Sequence, residues 1–496
     1  MKKNSLSAVL VLLLVLLPAV PSMAWQGRTA GAGDAFGLME DESDYLTHPA
    51  AIASGKGFNA YGHYRLTYDK ATTWDYSLSA PLYNVISPYA TSGHSWKNEG
   101  QLGAAFALGA GRMGVLFDYT GVRGTYSGNE KFAGFFGSGN AAYDLDNKLD
   151  NFSLKVIYGL PVQSVKLGGE FQIAYRNEEQ KNLWREAARA YANYPWVAED
   201  SPEVNLYPFM IPYRSKYWEA QGKASVDGMI GPAKYAFTLK GGLPFASDNE
   251  YQYDSGFTPY VNAKGNVKGF NVGGDFWLRA PISESLVLPF VVSAGYKTLK
   301  RDGAGISNQP SSVTYEQETR DFFIKVGGGA DFTPAKGAKV AAGLYYDYLS
   351  TRQSLYFRDV FPAPVFYVDD YADLPKFSEH RLTMKALAEK ELRPGTALRG
   401  GFNVFYGRIK SDYAYAAYDN LGPYFPLNVS TDGWSAGVNA SLGATIKLEP
   451  VSLEPFINAG YSEAKTSGDG TLGAGAAAAE FKQAGWVVGG GLSVKF

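Results

Sequence analysis

Four histidines (His48, His63, His94 and His380) and no cysteine are all that 496 residues offer for imidazole or thiol chemistry. The lack of cysteine excludes disulfide staples, zinc–thiolate sites, iron–sulfur clusters, covalent haem attachment and a lipidated N-terminal cysteine. The histidines are scattered, with no pair at metal-ligand spacing. A hydrolase built on His94 or His380 would need a serine or carboxylate partner, and neither has a persuasive one in sequence. The sequence therefore predicts no catalytic residue, no metal site, no cofactor and no enzyme. What remains is a chemistry of surfaces. The chain carries 35 Tyr, 29 Phe, 9 Trp and 57 Gly, with a formal net charge of −2. Aromatic and glycine enrichment suits strands rather than helices. A near-neutral charge argues against nucleic-acid binding.

The elements that would hold such surfaces begin after an address. Lys2 and Lys3 precede a short apolar run at 6–17, and Ser-Met-Ala ends at Ala24. This reads as a secretory signal peptide over residues 1–24, cut before Trp25. Its removal takes two lysines, leaving 44 basic residues against 48 acidic ones. Beyond it no apolar window is long enough for a helical span. Period-2 alternation recurs instead. Phe152, Leu154, Val156, Tyr158 and Leu160 alternate with Ser153, Lys155, Ile157 and Gly159, and the pattern returns at 165–176, 235–243, 270–280, 322–332, 398–406 and 434–448. Runs of about 9–15 residues are long enough to cross a bilayer at a tilt.

Tight turns are expected at 109–112, 161–164, 231–232, 281–284, 334–337, 394–395 and 449–450, six of them marked by proline, which cannot donate to a ladder. Long loops are expected at 70–99, 127–148, 178–213, 246–266, 302–317, 353–377, 413–432 and 466–483. Seven short turns and eight long loops give 16 strands, in a range of 14–18, closed as an antiparallel transmembrane barrel over 58–496. Both termini then lie on the short-turn side. The spread to 18 comes from 74–82, which also alternates. The last strand alternates through Trp486, Val488, Leu492 and Val494 and stops on Phe496. It resembles the C-terminal recognition signal of bacterial outer-membrane barrels, which implies a Gram-negative outer membrane and its assembly machinery as a partner.

One segment, 25–57, remains between address and barrel. Gly31, Gly33 and Ala35, an acidic-Ser stretch with Asp41 and Ser43, and then Pro49, Ala50, Ile52 and Ala53 resemble the N-terminal segment of the FadL/TodX-like outer-membrane transporters of fatty acids and aromatic hydrocarbons. His48 stands where that family has Asn, and Ala51 where Gly is usual. The resemblance implies a hatch folded up into the barrel, with Asp41, Glu42, Asp44, His48, Pro49 and Ala50 as its working residues, and hydrophobic compounds as solutes.

Alternation itself places Arg65, Lys155, Lys223, Arg279, Lys325, Arg381, Lys385 and Arg399 in the lumen, with Asp118, Glu170, Glu219, Asp275 and Glu389. The same parity adds Lys166, Arg176, Lys234, Lys240, Lys297 and Lys447, and Asp227, Asp331, Asp347, Glu391 and Glu454. Fourteen bases face ten acids, so an acidic hatch would be attracted, with Asp41, Glu42 and Asp44 within reach of bases such as Arg65, Arg381 and Arg399. An unperturbed His48 would make that hatch pH-sensitive near 6.5. The outer loops are aromatic: Trp184, Phe209, Tyr356, Phe357, Phe361, Phe366 and Tyr424 fit a landing site for an apolar molecule, a constriction or a protein-docking surface. Residues 178–193 show helical spacing and predict a short lid helix. The leading function is passive uptake of small solutes across an outer membrane, hydrophobic ones in its sharper form. Two alternatives stand beside it. One is a sheath or anchor for a secreted multihaem cytochrome or another surface protein. The other is a structural or adhesion barrel with a sealed lumen.

Overall fold

The computed structural model describes residues 38, 42–79, 90–134, 137–186, 213–254, 259–306, 312–362, 365–419, 422–472 and 475–496. Two 3-10 helices, Glu42–Leu46 and Pro49–Ser54, precede the strands. The wall opens with β1 (Asn59–Ser79), β2 (Ala90–Leu108), β3 (Gly111–Gly134), β4 (Gly137–Val162) and β5 (Val165–Glu186). It continues with β6 (Tyr213–Ile230), β7 (Ala233–Asp254), β8 (Pro259–Gly265), β9 (Val267–Pro281), β10 (Leu286–Ile306) and β11 (Ser312–Ala335). It finishes with β12 (Ala338–Pro362), β13 (Val365–Arg393), β14 (Thr396–Asp419), β15 (Gly422–Leu448), β16 (Val451–Leu472) and β17 (Gly475–Lys495).

Every pairing between these strands is antiparallel, and β1 pairs with both β2 and β17, so the sheet closes on itself. Phe496 and Ala60 exchange two backbone hydrogen bonds, at 3.0 and 3.2 Å, at the seam. β8 and β9 lie between the same two neighbours, β7 and β10. They are two halves of one wall position, which makes a 16-stranded barrel. β7 pairs with β9 as far as Gly242↔Asn271 and with β8 from Asn249↔Gly265. Between them Ala246 bulges out with a φ of 45°, and the Ser247 hydroxyl accepts from the Val267 amide at 2.7 Å in place of the backbone ladder.

The seven short turns fall where the sequence puts them. Pro394-Gly395 shows why: proline presets the first corner, and Gly395 takes the left-handed second corner at a φ of 81°, as in a type II turn. The opposite end differs from expectation. The long loops at 127–148, 353–377, 413–432 and 466–483 are mostly strand, with hairpins that turn only beyond Gly134, Pro362, Asp419 and Leu472. As far as Ser79 the stretch 74–82 adds no hairpin, because these residues continue β1 and stay paired with β17; residues 80–82 lie outside the described residues. The helix expected at 178–193 is also corrected as far as Glu186: these residues extend the ladder to β4, with Tyr143↔Trp184 in register. Each added ladder bond outweighs the weak local helical preference. Residues 187–193 lie outside the described residues.

Strands of 18–29 residues, apart from β8 and β9, exceed the 9–11 that span a bilayer, so the wall continues past the membrane. Its outer face is apolar. Leu102, Phe171, Leu239, Leu344 and Leu442 are each more than half exposed, an arrangement that only lipid can cover. Aromatic pairs mark the upper edge of this band: Tyr68–Trp96, Tyr119–Phe152, Tyr175–Trp218 and Tyr461–Trp486, with ring centroids 4.4–5.1 Å apart. They form the girdle that outer-membrane barrels set at the interface. Among the described residues no helix is long and apolar enough to cross a membrane.

Candidate functional site

Inside the short-turn end, the N-terminal segment lies against the wall. Asp44 begins the approach: its carbonyl accepts from the Thr47 and His48 amides at 3.0 and 2.8 Å. Pro49 then starts the second 3-10 helix, where its missing N–H costs nothing. His48 Nδ1 hydrogen-bonds Thr238 Oγ1 at 2.6 Å, and its ring meets Trp277 edge-on at 4.2 Å. The Ala50 amide donates to Ser225 Oγ at 2.6 Å. Tyr45 and Ile52 pack among Tyr61, Ala105, Leu116 and Ile157. Further round the barrel Leu38 is fully buried against Ala341, Tyr345 and Leu387.

The wall makes room for this segment by omitting side chains. A Cβ at Gly114 would stand 2.7 Å from Ile52 Cδ1, and one at Gly159 would stand 2.6 Å from Ile52 Cγ2. A Cβ at Gly168 would run into the backbone of Pro49 and Ala50. Gly343 and Gly329 do the same for Leu38, at 2.6 and 2.8 Å from its Cδ2. Five inward-facing glycines on β3, β4, β5, β11 and β12 therefore form seats shaped to the segment. Sequence reasoning missed them. A glycine within a strand does signal close approach of another backbone, but not whose.

Basic residues grip the segment through its neutral oxygens. Lys223 Nζ donates to the Leu46 carbonyl at 2.6 Å, Arg279 to that of Leu38 at 3.1 Å, Arg112 to that of Gly57 at 2.6 Å, and Lys166 to Ser54 Oγ at 2.5 Å. The three arginines expected to meet the acids each have a carboxylate neighbour on the wall. Arg65 lies 4.0 Å from Glu99, Arg381 is paired with Glu379 at 2.8 Å, and Arg399 stands 3.3 Å from both Glu389 and Glu454. Asp41 and the Glu42 side chain lie outside the described residues.

Many of the other lumen charges pair across the wall. Lys155 meets Asp118 at 2.8 Å, Lys223 meets Glu170 at 3.0 Å, and Arg176 meets Glu219 at 3.2 Å. Lys240 meets Asp275 at 2.9 Å, Arg279 meets Asp331 at 2.6 Å, and Lys325 meets Asp347 at 3.3 Å. Lys385 and Lys325 both sit over the Tyr345 ring. Local pairing offsets part of the net basic field that a count of charges implies. Adjoining these pairs, a cavity of about 560 Å³ is lined by Arg176, Glu219, Lys240, Asn271, Lys297 and Asp321, with Phe323 and Leu349 as apolar members.

His48 belongs to the N-terminal segment rather than to a spanning strand. Burial, reinforced by Lys223 and Lys240 and opposed by Asp275, pulls its pKa from 6.5 down to about 4. It is therefore neutral at physiological pH, and the transition expected near 6.5 moves to acid. Of the outer aromatics, Tyr356 is half-buried on β12. Phe209 and the side chains of Trp184, Phe357, Phe361, Phe366 and Tyr424 lie outside the described residues.

A closed barrel with an apolar exterior and a charged interior is an outer-membrane β-barrel, and this one carries a chain segment seated within its lumen. No family model and no curated protein matches the chain. Among solved structures it is similar to a Pseudomonas aeruginosa FadL homologue (11% identity, 97% of this chain and 99% of that one, TM-score 0.40). It is likewise similar to the Pseudomonas putida toluene transporter TodX (10%, 97% and 99%, 0.41) and the Ralstonia pickettii toluene transporter TbuX (10%, 93% and 96%, 0.38). Likeness at that level leaves the function to be read from this chain's own residues.

Proposed function

We propose that this barrel is a passive channel for small solutes, held shut at its short-turn end by residues 25–57 acting as a hatch. The observation that carries this is the row of wall glycines shaped to Leu38, Ala50 and Ile52. A flexible tail would need no seats. The lumen cavity supplies a resting place of solute size. Hydrophobic compounds are the solute class that the N-terminal motif implies. They would meet Phe323 and Leu349 in a lumen where Arg176 and Lys240 are already paired with Glu219 and Asp275, which lowers the cost of desolvating that part of the wall. The test is solute flux into proteoliposomes for the full chain and for a variant lacking residues 25–57. A graded set of solutes, from monoaromatic hydrocarbons to sugars, reads selectivity. The hatch predicts faster flux and a broader solute range on deletion. Equal flux and equal selectivity would reduce the segment to a tail.

A further inference from the structure

One corner of the lumen cavity is built differently from the rest of its lining. Elsewhere the charged groups are already paired. Arg176 meets Glu219 at 3.2 Å, Gln221 and Asn271 each donate to Glu219 Oε1 at 2.8 Å, and Lys240 meets Asp275 at 2.9 Å. Lys297 on β10 and Asp321 on β11 line the same cavity, half-buried and directly opposite one another. Among the described residues neither makes an ion pair or a side-chain hydrogen bond. Three other lumen pairs with this cross-strand placement do close: Lys223↔Glu170 at 3.0 Å, Lys325↔Asp347 at 3.3 Å and Arg399↔Glu389 at 3.3 Å. Lys166 and Asp227 also face each other without closing, but there the hatch residue Ser54 holds Lys166 at 2.5 Å. Lys297 and Asp321 stand open with no such competing contact among the described residues.

Beside this open pair the cavity turns apolar. Phe323 follows Asp321 on the same face of β11, and Leu349 stands opposite Phe323 on β12. Gly295, two residues before Lys297, faces Phe323 from β10. A Cβ there would lie 2.5 Å from the ring's Cε1, so the missing side chain lets the ring lean back against β10. Lys240 Nζ stands 5.8 Å from the ring centroid. The corner thus presents one cation, one carboxylate and an apolar wall side by side.

We propose that this corner binds a zwitterionic α-amino acid with an aromatic or aliphatic side chain. Its carboxylate accepts from Lys297, its ammonium donates to Asp321, and its side chain lies against Phe323 and Leu349. The inference rests on the channel reading above and names a solute class for the same cavity. Lys297 and Asp321 are placed to close on each other as the three other pairs do. A solute with a single charge gains one contact and forfeits that closure. A zwitterion replaces the closure with two charge-assisted hydrogen bonds, which are the strong kind. The two charged groups of an α-amino acid sit on one carbon, which suits a cation and an anion facing each other across one strand spacing of about 4.8 Å. A hydrocarbon uses Phe323 and Leu349 alone.

The test is calorimetric titration of the full-length protein in neutral detergent with four probes that share one ring: phenylalanine, phenylpropionate, phenethylamine and ethylbenzene. At neutral pH they carry both charges, the carboxylate alone, the ammonium alone and neither. Phenylalanine should bind about tenfold or more tighter than either singly charged probe, the worth of one hydrogen bond to a charged group. Lys297→Gln and Asp321→Asn should each weaken phenylalanine binding by about the same factor. The exchange Lys297→Asp with Asp321→Lys should restore most of it, which a merely structural role would not do. The probe series on the parent needs no variant, so it stands even where a variant fails to insert. A singly charged probe that matches phenylalanine, equal phenylalanine affinity in parent and variants, or no phenylalanine binding would overturn the proposal. Ethylbenzene flux into proteoliposomes, measured alongside, separates the two readings. Flux without phenylalanine binding overturns the amino-acid site and leaves the channel standing, whereas no flux of either solute overturns the channel.

Discussion

The seat of Ile52 allows a quantitative test of whether the hatch and the wall are shaped to one another. Gly114→Ala places a methyl carbon where Ile52 Cδ1 lies 2.7 Å away. Unstrained carbon contacts sit at about 3.5–4.0 Å, so the overlap is close to 1 Å. Overpacking of this kind costs about 1–3 kcal/mol, and about 1.4 kcal/mol is a tenfold change in an equilibrium. The equilibrium constant for seating the hatch should therefore fall by about one order of magnitude. Ile52→Ala alone removes a buried side chain, at about 2–5 kcal/mol, and loosens the hatch from the other side. Together the two changes should be less harmful than their sum, because the shortened side chain has no Cδ1 to collide with and the new methyl refills part of the void. The assay is open probability in a planar bilayer for the parent, both single variants and the double variant. A coupling of at least about 1 kcal/mol is expected for groups in contact. Strictly additive effects would refute the seating.

Three further outcomes follow from the wall and the hatch. Leu344→Arg, on the lipid face at 53% exposure, should cost about 2–4 kcal/mol of barrel stability, read by urea unfolding in bilayers; an unchanged midpoint would place Leu344 away from lipid. Deleting Phe496 removes both backbone bonds to Ala60 and should lower the yield of heat-modifiable barrel, whereas Phe496→Ala keeps the bonds and tests recognition of the ring alone. Because the seated His48 has its pKa held at about 4 and the released one titrates near 6.5, release takes up protons between these values. Seating should be fully stable above pH 6.5, weaken as pH falls toward 4 and level off below it, with conductance rising over that window and His48→Gln flattening the response.

The barrel was largely legible because lipid on one side and water on the other force period 2 onto every spanning strand, and proline and glycine mark each tight turn. The far ends were not legible in the same way. Where 127–134, 353–362 and 413–419 rise above the membrane, water lies outside as well as inside. Alternation then fades although the hydrogen-bond ladder continues, so a strand reads as a loop. At 178–186 a chance helical spacing lost to the same ladder. Charge parity placed Lys155, Glu170 and Arg399 on the inner face but could not foresee Lys155–Asp118 or Arg399–Glu454, since those pairs depend on register. His48 was visible as an odd residue in a familiar motif. Thr238, 190 residues away, and the glycine seats at 114, 159, 168, 329 and 343 were not, because nothing local links them to it.

The central claim, that passage requires residues 25–57 to leave the wall, has a direct test in a chain with no native cysteine. A Cβ at Gly159 would lie 3.3 Å from the Ala53 Cβ, close to the about 3.5–4.5 Å that a disulfide needs. Single-channel conductance should be recorded for the double variant Ala53→Cys, Gly159→Cys under oxidising and then reducing conditions. The hatch predicts a closed channel when the bond is formed and recovery of openings when it is reduced. Parent-like openings with the bond shown to be intact would contradict it.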